Sequence, residues 1–394
     1  MGGYFDEIGG ILKNKVRRAS FAMYAFGILG DGERKSVEPI AARACGDPAL
    51  ARAYHEKLLH FVGDAKWDDT AVRRAAARYG ISAMEGQAGE AVSVWIVDDT
   101  GMLKQGDKSP GVQRQYTGSA GKITNCQIAV TLSVATSTEA IPIDAELYLP
   151  ESWIADPDRR KQARIPETAQ FRTKIELALE MVERACLDKI PGNVMLADSA
   201  YGEAYHFRQG VKLYGFDYAV GIGPMTKVVV ANNRGDFKGE AVSAGQLGTS
   251  LPTNAFRRFT WRDGTKSRLS GRFQFRRVKA AHDDGIALKD RDEEWLLIEL
   301  DESGKHKYYL TNLPKRMAKK QIVRILKERW RTEQVYQELK DELGFDHFEG
   351  RTYQGWHHHV SVVFCCYAFV VAERMRRFPP SKITTANHPQ LCAA

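Results

Sequence analysis

Three side chains of complementary chemistry share one stripe of a predicted helix in the segment 329-RWRTEQVYQELKDELG-344. At 100° per residue, Glu333 and Lys340 lie about 40° and about 20° around the helix from Arg329. Carboxylate oxygens bind divalent metal ions, and guanidinium and ammonium groups bind phosphate oxygens. The same stripe would also suit a surface helix with ion pairs worth about 0.2–0.5 kcal/mol each. The stripe therefore indicates metal-dependent phosphate chemistry only if more carboxylates join it.

Further carboxylates follow two predicted β-strands. Segment 91-AVSVWIV-97 is rich in β-branched and aromatic residues and runs into Asp98 and Asp99, and segment 193-NVMLA-197 runs into Asp198. Aspartates at the carboxyl ends of strands in an open α/β sheet face the crevice where ligands bind. Hard oxygen ligands favour Mg²⁺, for which Mn²⁺ can substitute, and two such ions suit phosphoryl transfer. The predicted catalytic and metal-binding residues are Asp99, Asp198 and Glu333.

The order of predicted elements describes an α/β fold with a mixed sheet. Three consecutive strands suit an antiparallel meander, and the strands that alternate with helices after it suit parallel crossover units. After Pro314 the pattern returns to helices, beginning with one long helix of roughly residues 317–343. We predict five regions: a helical N-terminal domain at 1–88, the first part of a catalytic core at 89–222, a β-rich insertion at 223–315, the helical remainder of the core at 316–378, and a tail at 379–394.

Composition restricts the class of protein. The 57 Lys and Arg residues outnumber the 49 Asp and Glu residues, and the net charge of +8 favours a polyanionic partner. The six cysteines contain no CxxC pair, which indicates reduced thiols in the cytoplasm. The longest apolar run, 360-VSVVFCCYAFVVA-372, is too short to cross a bilayer, so no membrane association is expected.

The chain resembles DDE-type cut-and-paste insertion-sequence transposases, whose catalytic core is RNase H-like. The resemblance extends from about Val94 to Phe369, and its motifs are 97-VDDTG-101, 195-MLADSAYG-202 and the Arg-(3)-Glu-(6)-Lys spacing described above. It implies a bacterial enzyme that cuts DNA at the ends of an insertion sequence and joins them to target DNA. It also implies a synaptic homodimer, a β-strand insertion before the glutamate, and DNA phosphate contacts near the cut from Arg329 and Lys340.

Two positions leave details of the resemblance open. One subgroup of these transposases has a tyrosine three residues before the arginine, but Leu326 occupies that position here. A hairpin-ended DNA intermediate, typical of the subgroup, is therefore not predicted. Either Asp98 or Asp99 could be the first ligand, and we choose Asp99 because the family's aspartate is usually followed at once by a small or hydroxyl residue, here Thr100.

Two further segments are predicted to face DNA. Residues 256–279 contain nine Lys and Arg residues and one acid, interleaved with aromatic residues, and suit a DNA backbone or an unstacked base. The acidic stretch 283–302 could instead neutralise them across the sheet. The Gly-rich segment 108–125 is either a DNA-facing loop or an ordinary connection. The predicted DNA contacts in the two segments are Arg272, Arg276, Arg277, Lys108, Arg114 and Lys122.

Two other functions remain compatible with these patterns. One is a catalytically silent relative that binds terminal DNA and acts as a repressor. The other is a structure-specific nuclease with the same core and no strand-transfer activity.

Overall fold

The computed structural model describes residues 2–88, 91–263, 268–282 and 285–378. Its first part is helical, as predicted. These helices bury their apolar faces against one another and against the last long helix of the chain. The helices are α1 (Gly2–Ile11), α2 (Lys15–Leu29), α3 (Val37–Ala44), α4 (Ala51–Leu59) and α5 (Asp69–Ala88), with a 3₁₀ turn at Pro48–Leu50 and a π-helical turn at His60–Asp64.

The core is a mixed sheet with strand order β4–β3–β1–β5–β6. The first three of its strands along the chain, β1, β3 and β4, form an antiparallel meander, and β5 and β6 run parallel to β1. This order confirms the predicted RNase H-like fold class. The strands are β1 (Val94–Leu103), β2 (Gln113–Thr117), β3 (Lys122–Ala135), β4 (Ala140–Leu147), β5 (Val194–Ala197) and β6 (Asp217–Ile222).

Helices follow the meander and alternate with the parallel strands. In α8, Thr173 and Glu176 form a reciprocal capping box, which satisfies backbone N–H groups at the start of the helix. The helices are α6 (Glu151–Ile154), α7 (Pro157–Gln162), α8 (Lys174–Leu187), α9 (Ser199–Gly202) and α10 (Tyr205–Leu213).

The strands after residue 223 extend the core sheet. Strand β12 pairs antiparallel with β6, and the order continues β12–β11–β10–β7–β8, with β9 paired to another part of β10. The insertion is therefore joined to the core by backbone hydrogen bonds. Its elements are β7 (Lys227–Val230), β8 (Val242–Ser243), α11 (Ala244–Ser250), a 3₁₀ turn at Thr253–Ala255, β9 (Arg257–Asp263), β10 (Arg268–Ala280), a 3₁₀ turn at Leu288–Asp290, β11 (Glu294–Leu300) and β12 (His306–Thr311).

The predicted single helix at 317–343 is wrong, because the structure has two helices there. They are α12 (Lys319–Lys327) and α13 (Trp330–Asp341). Around Glu328 the backbone N–H groups bond three residues back, which tightens and ends α12. Helix α12 packs on β6 and β9, whereas α13 packs on β1 and β4. The break lets two apolar faces follow two different parts of the sheet.

The last helix, α14 (Tyr353–Arg377), lies in the centre of the fold. By length and composition it is apolar enough to cross a membrane, but 94% of its most apolar window is buried inside the protein. It packs against α5, α2 and β4. This burial identifies it as a core helix.

A buried ionic network joins the N-terminal helices to the core. Arg73 of α5 donates to Asp144 of β4 (Nε to Oδ1, 3.1 Å), to the Ser361 hydroxyl of α14 (2.9 Å), and to Asp69. From the other side, Arg184 of α8 donates to Asp144 Oδ2 at 2.8 Å. Since the Arg73 side chain is only 2% exposed, its charge depends on these carboxylates.

We expect Arg73→Ala to lower the free energy of unfolding by about 3–5 kcal/mol, because it leaves buried carboxylates without their partner. Chemical denaturation followed by circular dichroism would measure the change. The control is Arg52→Ala, since Arg52 is 90% exposed and, among the residues that the structure describes, pairs only with Glu56. The control should cost about 0.5 kcal/mol or less. Equal effects of the two substitutions would contradict the structural role of the network.

Candidate active site

Strand β1 carries Asp98 and Asp99 in its interior. The expectation that they end the strand is wrong, because β3 pairs with β1 from Val94 through to Leu103. Successive side chains of a strand point to opposite faces of the sheet. The two aspartates therefore lie in different surroundings, and only one of them can face α13.

Asp98 faces α13. Its Oδ2 accepts a hydrogen bond from Arg329 Nη1 at 2.9 Å, and Nη2 of the same guanidinium donates to Glu333 Oε1 at 2.5 Å. The two carboxylates thus share one planar group, so their bonded oxygens lie within about 8 Å of each other. Asp98 is buried, whereas the Glu333 side chain is 63% exposed.

Asp198 lies beside Asp98. Strands β1 and β5 are parallel, and the last pair of their register is Val97 with Ala197. Asp98 and Asp198 are the next residue on each strand, and the backbone of Asp198 is still extended, so the two aspartates come next to each other. Neighbouring strands are about 4.8 Å apart. Asp198 Oδ1 also accepts from the backbone N–H of Ala200 at 2.9 Å, which caps α9 and fixes this carboxylate.

Asp99 has different partners. Its Oδ2 accepts from Lys174 Nζ at 3.0 Å and from the Tyr201 hydroxyl at 3.3 Å. These contacts tie β1 to α8 and α9. The structure therefore places Asp98, Glu333 and Asp198 around the Arg329 guanidinium. Asp99 has no hydrogen bond to Arg329, but its charge acts on Asp198.

The carboxylates of this site repel one another. Burial raises the pKa of Asp98 to about 7, with Arg329 opposing the rise and Asp198 adding to it. Burial and the charge of Asp99 likewise raise the pKa of Asp198. Each carboxyl is harder to ionise than in water, and a bound cation would relieve both effects.

The oxygens of the site fit a divalent metal by chemistry but not by their present arrangement. Hard carboxylate oxygens are the ligands that Mg²⁺ and Mn²⁺ prefer. Yet no group of three His, Cys, Asp or Glu residues within the described ranges is arranged to hold a metal ion. The salt bridge from Arg329 holds the exposed Glu333 carboxylate beside Asp98.

Two side chains of α13 fix the helix against the strands beside Asp98. Lys340 Nζ donates to the Thr100 hydroxyl (2.7 Å) and to the Gly101 carbonyl (2.9 Å), and burial lowers its pKa. The Tyr336 hydroxyl bonds to Thr131 Oγ1 at 2.5 Å, and Thr131 is the β3 partner of Asp98. Sequence patterns gave no signal for Tyr336, Thr131, Lys174 or Tyr201, because each contact joins distant parts of the chain.

The three arginines predicted to contact DNA on β10 differ in their surroundings. Arg277 donates to Glu293 at 3.1 Å and lies 4.7 Å from the centre of the Trp295 ring, so part of the acidic stretch does neutralise it. Arg272 is exposed and Arg276 half-buried. Within the described residues, neither of these two side chains has a hydrogen bond or ion pair.

The other predicted DNA contacts surround the hairpin of β2 and β3. Arg114 lies on β2 and Lys122 begins β3, and both are exposed. Lys108 precedes the hairpin and lies 3.8 Å from Asp107. The segment predicted as a loop or connection thus contains a strand, β2, and a tight turn.

The sheet order and the carboxylates on its central strands define an RNase H-like core. The chain belongs to the DDE superfamily endonucleases, whose family model matches residues 7–268. The match includes Asp98, Asp99 and Asp198 and ends before Glu333. Members of this superfamily generally use divalent metal ions and act on DNA.

The chain is also similar to an insertion-sequence protein. It is 28% identical over 185 residues to the probable transposase for insertion sequence element IS701 of Microchaete diplosiphon. The similar segment covers 47% of this chain and 43% of that relative. Family and relative agree with the resemblance to insertion-sequence transposases.

The raised pKa of Asp98 has a consequence for stability. Because the folded state holds this proton more tightly than the unfolded state, stability falls as pH rises from about 4 towards about 7. Asp98→Asn removes the effect. Metal-free Asp98→Asn should therefore gain stability over the parent chain as pH rises, by up to about 4 kcal/mol above neutrality. Urea unfolding in EDTA at pH 5 to 8 measures this, and a constant difference across that range would contradict the burial of the charge.

Proposed function

We propose that this protein is a DNA transposase that cleaves DNA at the ends of an insertion sequence and transfers the cut strand to target DNA. The observation that carries the proposal is the sharing of one guanidinium, that of Arg329, by Asp98 and Glu333, beside Asp198 on the adjacent strand. Family membership and the similarity to an insertion-sequence transposase support it.

Asp98, Asp198 and Glu333 would hold the metal ions. We infer Asp98 in place of Asp99 as the first ligand, because its side chain lies on the face covered by α13. When bound there, two Mg²⁺ or Mn²⁺ ions supply activation of the attacking oxygen and stabilisation of the leaving oxygen. Asp98 and Asp198 are fixed by the sheet and the α9 cap, whereas Glu333 is exposed and can adjust.

The cations around this site would bind DNA. The Arg329 guanidinium has five donors and lies at the surface of the carboxylate cluster, so it can pass from Glu333 to a phosphate oxygen near the cut. Lys340 is bonded to β1, and we assign it to positioning α13 as well as to the local positive field. Asp99 would act indirectly, through Lys174 and Tyr201.

The remaining regions would have roles in DNA binding and assembly. We propose that the helical region 1–88 recognises the element ends and that the catalytic core comprises 89–222 and 316–378. The insertion 223–315 would carry the basic surface of Arg272 and Arg276. The active form would be a synaptic homodimer.

Substitutions at the adjacent aspartates distinguish the ligand assignments. On duplex DNA bearing the element's terminal repeats, with Mg²⁺ or Mn²⁺, we expect Asp98→Asn, Asp198→Asn and Glu333→Gln to lower cleavage by about 10³-fold, since each loses several kcal/mol of charge stabilisation. Asp99→Asn removes a charge next to the proposed ligand Asp98 and should lower cleavage only about 10-fold. A severe loss in Asp99→Asn with an active Asp98→Asn would reverse the assignment.

The same assay separates the other functions. Supplying target DNA should yield joined products from a transposase, whereas a nuclease leaves only cut ends. A repressor-like relative would bind the terminal repeats and leave them intact with either metal. Glu333→Gln serves as the control in both measurements, because it retains the fold's surface and loses only one exposed carboxylate.

The contacts of the β10 arginines predict different effects on DNA affinity. We expect Arg272→Gln with Arg276→Gln to make the slope of log affinity against log salt shallower by about 2, because each arginine neutralises one phosphate. Arg277→Gln should leave the slope unchanged, since Arg277 is paired with Glu293. Fluorescence anisotropy across a salt series measures both, and an unaltered slope in the double variant would remove this face from the DNA interface.

A further inference from the structure

The single-turn helix α9 carries Asp198 as its N-cap residue. Asp198 Oδ1 accepts from the backbone N–H groups of Ala200 (2.9 Å) and Tyr201 (3.4 Å), and the Asp198 carbonyl accepts from Gly202 N–H at 2.8 Å. A helix of one turn is marginal by itself, so it needs contacts with the rest of the fold. Whatever holds α9 therefore also holds the Asp198 carboxylate.

Strand β6 holds one side of α9. A Cβ atom on Gly202 would lie 2.0 Å from the Gly221 carbonyl oxygen, and a Cβ atom on Gly221 would lie 2.9 Å from Ser199 N. Only glycine permits two backbones to approach so closely. This contact fixes the distance between α9 and the sheet.

Arg208 of α10 holds the C-terminal end of α9. Its Nη1 donates to the carbonyl of Gly202 and, at 3.3 Å, to the carbonyl of Glu203. Carbonyls at the end of a helix lack partners within the helix, and a cation there is favourable. The Arg208 side chain is only 1% exposed, so protein groups take the place of water around it.

The other partners of Arg208 belong to the insertion. Nη2 donates to His282 Nε2 at 2.7 Å, and Nε lies 3.8 Å from Glu294 Oε1. His282 follows β10, and Glu294 begins β11. The Tyr218 hydroxyl donates to the same Glu294 oxygen at 2.6 Å and fixes it. One planar guanidinium thus joins the end of α9 to two segments of the insertion.

We propose that Arg208 is a positioning residue for Asp198, and that through Arg208 the insertion supports the second ligand of the metal site. The inference rests on the proposed function for the role of Asp198 as a ligand, whereas the contacts themselves belong to the metal-free chain. The turn that carries Asp198 cannot shift without breaking bonds between Arg208 and its carbonyls. The insertion therefore acts on the carboxylate site as well as presenting a basic surface.

General stabilisation of the fold is the competing role for Arg208. Arg73 provides the matched control, because its side chain is 2% exposed and its partners Asp69, Asp144 and Ser361 lie in α5, β4 and α14. A substitution of either arginine disturbs a buried ionic network. Only the substitution of Arg208 should act on α9 in particular.

The first measurement is amide hydrogen exchange of metal-free protein at the buried residues Tyr201 and Gly202. Arg208→Lys keeps the charge but lacks the planar group that bonds both carbonyls and His282 at once. Exchange of these two amides should be about 10- to 100-fold faster, the equivalent of a hydrogen bond from a charged donor. Arg73→Lys should leave the two amides as in the parent chain.

Substitutions of the half-buried His282 test the insertion and decide the proposal even if Arg208→Lys does not fold. Arg208 has donors only, so His282 Nε2 is the acceptor of their bond. His282→Leu removes this acceptor and should speed exchange at Tyr201 and Gly202 about 2- to 10-fold. His282→Gln keeps an acceptor and should exchange like the parent chain.

The second measurement is the Mg²⁺ dependence of cleavage. Arg208→Lys should raise the Mg²⁺ concentration for half-maximal cleavage about 10-fold, as expected for a residue that orients a ligand. Cleavage at saturating Mg²⁺ and DNA affinity without metal should stay close to those of the parent chain.

Unchanged exchange at Tyr201 and Gly202 in both Arg208→Lys and His282→Leu would overturn the inference. Equal acceleration in Arg73→Lys would also overturn it, because Arg208 would then act only on the fold as a whole. Absence of cleavage by the parent chain, with exchange as expected, would overturn the proposed function and support the hold of Arg208 on α9.

Discussion

The burial of two carboxyl groups, those of Asp98 and Asp198, in the centre of the sheet is the constraint on which the site depends. Two carboxyls on neighbouring strands of a buried sheet both resist ionisation, and burial is the larger cause for each. The parallel register of β1 and β5, which pairs Val97 with Ala197, brings both aspartates to the same part of the sheet. Arg329 offsets part of the charge, and the bonds of Lys340 and Tyr336 hold α13 where that offset is possible. As pH rises, these two buried carboxyls lower the stability of the fold.

The continuous sheet extends this constraint to the rest of the molecule. Strand pairing runs without a break from β2, through β3 to the carboxylate-bearing β1, and on to β8 at the far edge of the insertion. A basic face on β10 and the basic hairpin of β2 and β3 are therefore held by backbone hydrogen bonds in a fixed relation to the site. On a flexible linker, the same arginines and lysines would contribute charge alone. Under the proposed function, the sheet holds them along a fixed path for a stiff duplex.

Sequence patterns predicted the elements better than their contacts. The strand predicted at 193–197 is present as Val194–Ala197, because a continuous apolar run reports burial directly. The break at Glu328 was missed because the apolar period continues through it, and only packing against two parts of the sheet requires the turn. The choice between Asp98 and Asp99 as first ligand depends on a contact that the sequence does not reveal, and under the proposed function it changes from Asp99 to Asp98. The alternation of side chains along a strand shows that Asp98 and Asp99 face opposite sides of the sheet. Which side α13 covers is shown only by the contact between Asp98 and Arg329, which are 231 residues apart.

The shared guanidinium links metal binding to DNA binding under the proposed function. Arg329 bonds to Asp98 and Glu333 at once, so a metal ion that takes these oxygens must release it, and a phosphate that takes Arg329 must free the oxygens. Whichever binds first, metal ion or phosphate, breaks the Arg329 salt bridges, so the other binds without that cost. The metal ion and the DNA therefore raise each other's affinity, and by linkage the two effects are equal. Asp98 enters the same balance, because a protonated carboxyl with a pKa of about 7 holds neither metal nor guanidinium strongly. A chain built in this way would keep its carboxylates paired until DNA supplies the phosphate that draws Arg329 away.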